Sequence, residues 1–316
     1  MTTIVAVDWS GKKKDDGRTV WMAAVEEGRM TRLENGRSRK ELTEELVALE
    51  RRSERLILGI DFAFSFPAPY MRQQGWGSAR EGWRAATHHG EGWLRGDDPR
   101  FWGRVKKTTL DGHEEYRHTE KVLRERGTHP KSIFQTGGVG AVGTGAIRGM
   151  PLLVDLADAG FAVWPFDDPA DRSVVVEIYP RLLTGNVKKT VVSECISHLE
   201  RYSEEMRERH IGMAAATEDS FDAAVSAVQM WRHRDQLEGL RQAHEPGVLL
   251  EGMIWNPVLT ARGPDRTHLD DVPTGGLDSH HPCRDCGGVS LVSADGLGRR
   301  CPNCEHIWTI GREGSS

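Results

Sequence analysis

Long apolar runs are missing from this sequence. Apolar residues make up 38% of its 316 residues, and no uninterrupted run approaches the roughly 20 residues of a membrane-spanning helix. The N-terminal residues, MTTIVAVDWSGKKK, place their apolar run before the positive charges, which is the reverse of a secretory signal. We therefore expect a cytoplasmic protein with no membrane partner and, at this length, about two domains.

Cysteine is scarce, since five occur and four of them lie in the last 34 residues. These four form two CxxC pairs separated by fourteen residues, namely Cys283, Cys286, Cys301 and Cys304. Four thiolates at this spacing predict a structural zinc ribbon, because a reducing compartment disfavours disulfides and a closed tetrahedron leaves no open metal position. Zinc ribbons contact nucleic acid or protein, or serve only to hold their own fold together, and these alternatives stay open.

Positive charge is in deficit, with 42 Lys and Arg against 47 Asp and Glu and a formal net charge of -5. That balance alone argues against a polyanionic partner. Residues 72–148, however, hold 14 basic and 9 acidic residues together with four tryptophans, and cations beside aromatic rings are typical of surfaces that bind phosphates and stack on bases. The tryptophans could equally form the core of an inserted subdomain. The predicted nucleic-acid contacts are Arg104, Lys106, Lys107, Arg117 and Arg148.

Hydrophobic patterning predicts an α/β fold in which an antiparallel meander is followed by parallel strands. A glycine-rich run at 135–151 is predicted to be a close-packed or phosphate-cradling loop, although it lacks the GK[ST] ending of a P-loop. The domain division we expect is an α/β domain over 1–256 with a basic insertion at about 68–150, a linker over 257–279 and the zinc ribbon over 280–316. Strands are predicted at 3–9, 19–25, 29–33, 55–62 and 173–179, and helices at 38–52, 151–159 and 217–231.

Acidic side chains stand at the ends of several predicted elements. They are Asp8 after the first strand, Asp61 after the fourth, Glu177 near the end of the late strand, and Asp219 and Asp222 at the start of the late helix. Sites of open sheets form beyond the carboxyl ends of strands, so we expect these carboxylates to converge. Oxygen ligands without histidine suit Mg²⁺ or Mn²⁺, and two such ions can stabilise the attacking and leaving oxygens of a phosphodiester. This pattern predicts a metal-dependent nuclease, although each acid could also be a turn former or a helix cap.

Several segments also carry a family resemblance. VAVDWSG, GIDFAFSFP, EIYPR, DSFDAAVSA and EGMI, which lie within residues 5–254, resemble the family catalogued as domain of unknown function 429, whose members are predicted RNase H-like nucleases. The resemblance implies an RNase H-like sheet. DxxDA is similar to the last acidic motif of RuvC-type resolvases, which bind two metal ions, and this implies Asp8, Asp61 and Asp222 as ligands, with Asp219 and Glu177 as further catalytic candidates. Those enzymes usually carry Glu on the fourth strand, where this chain has Asp61.

Two other functions stay open. A catalytically degenerate domain of the same fold could hold nucleic acid or a protein partner without turnover. The segment DWSGKKK resembles the phosphate loop of actin-like ATPases and sugar kinases, which would imply an ATP-dependent phosphotransferase. GIDFAFSFP is a poor match to the second phosphate loop that those enzymes need.

Overall fold

The structure is a computed structural model that describes residues 2–14, 16–103, 114–138 and 140–257, together with four short strands between 275 and 309. The strands of the main sheet are β1 (Thr2–Asp8), β2 (Trp21–Glu26), β3 (Arg29–Glu34), β4 (Arg55–Ile60), β5 (Ala162–Val163) and β6 (Val174–Glu177). The helices are α1 (Asp16–Thr19), α2 (Arg39–Glu50), α3 (Ala68–Gln73), α4 (Ala79–Arg95), α5 (His118–Glu125), α6 (Val142–Asp158), α7 (Pro180–Thr184), α8 (Val192–Leu199), α9 (Glu208–Ala214), α10 (Glu218–Arg232), α11 (Arg234–Glu238) and α12 (Pro246–Glu251), with a 3-10 helix at Glu200–Tyr202.

The six strands form one mixed sheet in the order β3-β2-β1-β4-β6-β5. β1, β2 and β3 are antiparallel neighbours, and both residues of the β2–β3 turn, Glu27 and Gly28, have positive φ, as a two-residue hairpin turn requires. β4 runs parallel to β1, and β6 runs parallel to β4. The predicted α/β class with a mixed sheet is confirmed.

Helices cover both faces of the sheet, because successive side chains of each strand point to opposite sides. Val5 and Val7 belong to a cluster with residues of α2, α4 and α6. Ile4 and Ala6 belong to a second cluster, with residues of α8, α9 and α10. In the described part of the chain, no helix combines the length and the apolar character that crossing a membrane requires.

Local signals in the sequence explain the two helices that matter most for the site. Ser38 caps α2 by accepting a hydrogen bond from the Glu41 amide, while the Glu41 carboxylate accepts one from the Ser38 amide. Thr217 caps α10 by accepting from the Ser220 amide at 3.0 Å. Such caps satisfy amide groups that have no partner within the helix. The predicted helices at 38–52 and 217–231 are therefore confirmed within two residues at each end.

The glycine-rich run differs from its prediction as a loop. α6 begins at Val142, inside the run, and continues past Pro151 to Asp158. A Cβ at Gly143 would lie 2.0 Å from the Ile133 carbonyl oxygen, and one at Gly149 would lie 2.6 Å from the Phe62 ring. The glycines thus allow a helix to pack closely against its neighbours. Their poor helix propensity is the reason that the pattern did not predict a helix there.

A second, antiparallel sheet lies in the tail of the chain. Its strands, in the order β10-β9-β8-β7, are β7 (Gly275–Asp278), β8 (Ser290–Val292), β9 (Gly298–Arg300) and β10 (Ile307–Thr309). β7 falls inside the segment predicted as a linker over 257–279, so the paired part of the tail begins before residue 280. The predicted zinc ligands lie outside the described residues; they are Cys283, Cys286, Cys301 and Cys304.

Candidate acid site at the carboxyl edge of the sheet

Asp8 and Asp61 are neighbours at the carboxyl edge of the parallel strands. Val7 pairs with Ile60 across β1 and β4, and the Asp61 amide donates to the Val7 carbonyl oxygen at 3.1 Å. Val7 and Ile60 both face the cluster that contains α2, α4 and α6. Because side chains alternate along a strand, Asp8 and Asp61 both face the opposite side, where α10 packs.

α10 brings two further carboxylates to this edge. Asp219 lies in its first turn, and Asp222 is one helical turn further along on the same side. The apolar side chains of α10, such as Phe221 and Val225, are buried in the cluster that also contains Ala6 of β1. This packing holds the start of the helix beside the end of β1. We call the set Asp8, Asp61, Asp219 and Asp222 the acid site.

Electrostatics show that these four side chains share one environment. Burial, followed by the charges of Asp61, Asp222 and Asp219, raises the pKa of Asp8 well above its usual value. Burial, followed by the charges of Asp222 and Glu177, raises the pKa of Asp61 to about 8. The pKa values of Asp219 and Asp222 are raised as well, again mainly by burial. Like charges held together away from water favour protonation or a bound cation.

The cation that the structure places there is Lys189, which the sequence did not single out. Its ammonium forms an ion pair with the Asp222 carboxylate, and the two side chains are 14% and 16% exposed. The Lys189 charge lowers the pKa of all four members of the acid site, although it does not outweigh burial in any of them. A lysine between two short helices carries no motif, so its position could be found only from the fold.

The carboxylates of the acid site are not arranged as a finished metal centre. Among the described residues, no group of three or more His, Cys, Asp and Glu side chains has the geometry to hold a metal ion. The donor chemistry nevertheless suits a hard divalent cation, because the four carboxylates outnumber the two lysines, Lys12 and Lys189, whose charges act on them. Asp8, Asp61 and Asp222 are the residues that would hold such an ion.

Glu177 lies on the other face of the sheet from the four acids, although its charge acts on Asp61. Glu177 pairs with Ile60 across β6 and β4, so its side chain lies on the face opposite Asp61. Both of its oxygens are occupied: Arg117 donates to them at 2.8 and 2.5 Å, and the Phe64 amide donates at 2.9 Å. A carboxylate bound in this way, with 3% side-chain exposure, is a structural group rather than a free ligand.

Two of the predicted nucleic-acid contacts are corrected. The Arg117 side chain is 1% exposed and is bound to Glu177 and Glu120, so it cannot reach a phosphate on a ligand. The Arg148 side chain is 8% exposed, pairs with Glu91 at 2.7 Å and donates to the Gly11 carbonyl oxygen. Both arginines hold parts of the fold together. Three predicted contacts lie outside the described residues: Arg104, Lys106 and Lys107.

A positively charged loop borders the acid site instead. Gly11 to Lys14 begin three residues after Asp8, and Lys12, Lys13 and Lys14 are exposed. The Lys12 charge acts on Asp219. Arg39 donates to the Ser10 and Lys12 carbonyl oxygens at 3.2 and 2.7 Å, and Arg148 holds Gly11 from the other side. We call residues 11–14 the lysine loop.

The predicted aromatic insertion packs on the sheet. Trp83 and Trp93 are buried and belong to the same cluster as Val7 of β1, while Trp76 and Trp102 pack against that cluster. These four tryptophans therefore form part of a core, which was one of their two predicted roles.

A cavity of about 1000 Å³ lies between α3, α4 and the chain that follows, lined by Tyr70, His88 and Arg100 among others. None of the acid-site residues lines it.

Comparisons with protein-family models, with curated proteins and with solved structures found no match to this chain. The functional interpretation therefore depends on the geometry of the acid site and on the residues around it.

Proposed function

We propose that this protein is a metal-dependent nuclease that hydrolyses phosphodiester bonds of DNA or RNA at the acid site. The observation that carries the proposal is the convergence of Asp8, Asp61 and Asp222 from two parallel strands and one helix. Their pKa values are raised by burial and by one another, as is common where charged groups are gathered for function rather than for stability. Ligands of open α/β sheets commonly bind beyond the carboxyl ends of the strands, where these acids stand.

An RNase H-like fold, with membership of the family catalogued as domain of unknown function 429, is part of the proposal. An antiparallel meander of three strands is followed by a fourth strand beside the first, and acids stand at the ends of β1 and β4 and at the start of a late helix. Fold likeness alone does not establish an activity, so the proposal depends on the acids.

Each residue of the site has a distinct task in this proposal. Asp8, Asp61 and Asp222 would hold Mg²⁺ or Mn²⁺, which supplies positive charge for the phosphate and acidifies a water molecule. The lysine loop binds the phosphate backbone of the polymer. Tyr179 lies near the site, since burial, followed by the charges of Asp61 and Asp222, raises the pKa of its phenol.

The tail is proposed to be a zinc ribbon. Cys283 and Cys286 precede β8, and Cys301 and Cys304 lie between β9 and β10. Ligand pairs beside neighbouring hairpin strands are the arrangement that such a module uses. A cytoplasmic setting, in which thiols stay reduced, is proposed with it. The ribbon could bind a protein partner or nucleic acid.

One observation favours a second candidate, a binding protein without turnover. The Lys189 ammonium already forms an ion pair with Asp222, one of the proposed metal ligands. A degenerate site of this kind would bind nucleic acid in a salt-dependent way and would show no dependence on divalent cations.

Incubation with labelled single- and double-stranded DNA and RNA separates these candidates. The zinc-loaded protein is assayed with Mg²⁺, with Mn²⁺ and with an EDTA concentration that strips only the loosely held ions, beside an Asp8→Asn variant. Asp171→Asn is the matched control, because Asp171 is exposed and precedes β6 at the opposite edge of the sheet. We expect cation-dependent cleavage by the wild type and the control and none by Asp8→Asn. Binding without cleavage under every condition would overturn the nuclease proposal and favour the second candidate.

A further inference from the structure

Lys189 lies inside the acid site rather than at its margin. Its ammonium is bonded to Asp222 on α10, and the Lys189 side chain is 14% exposed. Its charge also acts on Asp8, Asp61 and Asp219. A lysine that only covered the surface would place its ammonium in water and its stem on the protein.

The fold holds this lysine in place at its backbone and along its stem. The Lys189 amide donates to the Val187 carbonyl oxygen at 3.1 Å, and the Lys189 carbonyl oxygen accepts from the buried Cys195 thiol at 3.4 Å. The ammonium lies 5.9 Å from the centre of the Phe221 ring, within the range of a cation–π contact. Contacts from α8 and α10 therefore direct the ammonium toward the carboxylates.

Repulsion from the Lys189 ammonium favours a single divalent ion at the site. When a bound ion keeps all four carboxylates ionised, they and Lys189 together carry a net charge of -3, and one divalent ion reduces this to -1. A second divalent ion would make the site positive and would stand beside the ammonium. Repulsion between such charges is poorly screened in a partly buried place. The second ion would have to displace Lys189 from Asp222.

We propose that Lys189 is a resident cation of the acid site, whose ammonium takes the place of a second divalent ion, so that the site binds one Mg²⁺ or Mn²⁺. This role rests on the proposed nuclease function and changes it in one respect, since two ions were expected from the sequence. Lys189 pairs with one oxygen of Asp222, so Asp8, Asp61 and the other Asp222 oxygen would hold the single ion.

Counting bound Mn²⁺ tests this role without measuring cleavage. The zinc-loaded full-length protein is titrated with Mn²⁺, and the free ion is followed by its electron paramagnetic resonance signal. The variants are Lys189→Met, which removes the charge at similar length, and Lys189→Arg, which keeps it. Lys188→Met is the matched control, because Lys188 is the exposed neighbour. Asp8→Asn identifies which ions belong to the site, and circular dichroism checks the fold of each variant.

The expected result is one Asp8-dependent ion in the wild type, in Lys189→Arg and in Lys188→Met. In Lys189→Met a second ion should bind, with a dissociation constant at least tenfold lower than that of any second ion in the wild type. Two ions of similar affinity in the wild type, or an unchanged stoichiometry in Lys189→Met, would overturn the role of Lys189 and leave the nuclease proposal standing. No Asp8-dependent ion in any form would overturn both.

Discussion

Asp8 and Asp61 are placed on the same face of the sheet by neighbouring strands, and their burial beside each other costs free energy in the metal-free protein. The pKa of Asp61 is raised to about 8, so folding makes this group bind a proton that it releases in the unfolded chain at neutral pH. A group with a raised pKa stabilises the fold below its unfolded pKa, and this stabilisation is lost as the pH rises through the folded pKa.

The first prediction concerns the stability of Asp61→Asn. Since the variant has no charge to bury, we expect its free energy of unfolding at pH 8, without divalent cations, to exceed that of the wild type by about 2 kcal/mol. The difference should vanish near pH 3, where Asp61 is protonated in both states. Urea denaturation at the two pH values measures it, with Asp171→Asn as the control. A variant less stable than the wild type at pH 8 would contradict the electrostatic account of the site.

The second prediction separates Glu177 from the acid site. Glu177→Gln leaves Arg117 buried with a weaker partner, so we expect a loss of about 2 to 4 kcal/mol in the free energy of unfolding. Glu91→Gln breaks the ion pair between Glu91 and Arg148, in which the Glu91 side chain is 47% exposed. This change should lower the free energy of unfolding by less than about 1 kcal/mol. Cleavage per folded molecule should stay within threefold of the wild type in Glu177→Gln. A stable but inactive Glu177→Gln would return Glu177 to the catalytic set.

Single-residue roles were predictable from the sequence only where a local rule applied. The end of an apolar strand identified Asp8 and Asp61. The alternation that puts Glu177 on the other face depends on the register between β4 and β6, which no local pattern contains. Lys189 and Arg117 depend on contacts between segments that are distant along the chain, and their own sequence surroundings gave no signal.

Among the elements, the lysine loop depends most on close packing. Gly11 lies against the first turn of α6, where a Cβ on it would be 2.5 Å from the Gly145 amide nitrogen and 2.6 Å from the Thr144 carbonyl carbon. Those atoms are backbone and cannot move aside cheaply. The glycine-rich start of α6 and Gly11 therefore fit each other and set the position of the loop.

Gly11→Ala gives the third prediction. We expect it to lower the free energy of unfolding by about 1 to 3 kcal/mol, because overpacking forces the backbone apart, and to reduce cleavage by displacing the loop beside Asp8. Gly212→Ala is the matched control, since Gly212 lies in α9 with open space around it. That change should stabilise by about 0.5 to 1 kcal/mol, as Ala favours a helix over Gly. Thermal denaturation compares the two, and equal stabilities would show that the contact between Gly11 and α6 is not tight.

The fourth prediction concerns phosphate binding by the lysine loop. Lys12→Ala should weaken binding of a nucleic-acid strand several-fold at low salt, and the slope of log affinity against log salt should become shallower by about 1. Lys40→Ala is the control, because the Lys40 side chain on α2 is 87% exposed and pairs only loosely with Glu44. Fluorescence anisotropy over a salt series measures both. An unchanged slope in Lys12→Ala would place the phosphate contacts elsewhere.

At the level of the whole molecule, the formal net charge of -5 conceals how charge is arranged. Acidic groups gather at the carboxyl edge of the sheet, where a cation would offset them, and the lysine loop borders that edge. Part of the basic excess of residues 72–148 is neutralised inside the fold, since Arg117 and Arg148 are buried and form ion pairs with glutamates. These two cations are not available for phosphates, so this segment should add little to the affinity for a polyanion and little to its salt dependence.

The positions of β1 to β4, β6, α2 and α10 could be predicted from the sequence because they follow from local hydrophobic periodicity. The start of α6 could not, since glycines that permit close packing look like a loop in the sequence. The tryptophans had two open interpretations, and burial against the sheet decided between them. What an acid does depends on which face of the sheet it occupies, and that is a property of the assembled fold.

The initial rate of nucleic-acid cleavage in saturating Mn²⁺ tests the central claim most directly, compared among the wild type, Asp8→Asn, Asp222→Asn and the Asp171→Asn control. We expect the two acid-site variants to lose at least about a hundredfold in rate, because the charge that holds the ion is removed. The control should keep the wild-type rate, and circular dichroism should show all four proteins folded. Cleavage by Asp8→Asn and Asp222→Asn at the wild-type rate would contradict the assignment of the acid site as a nuclease centre.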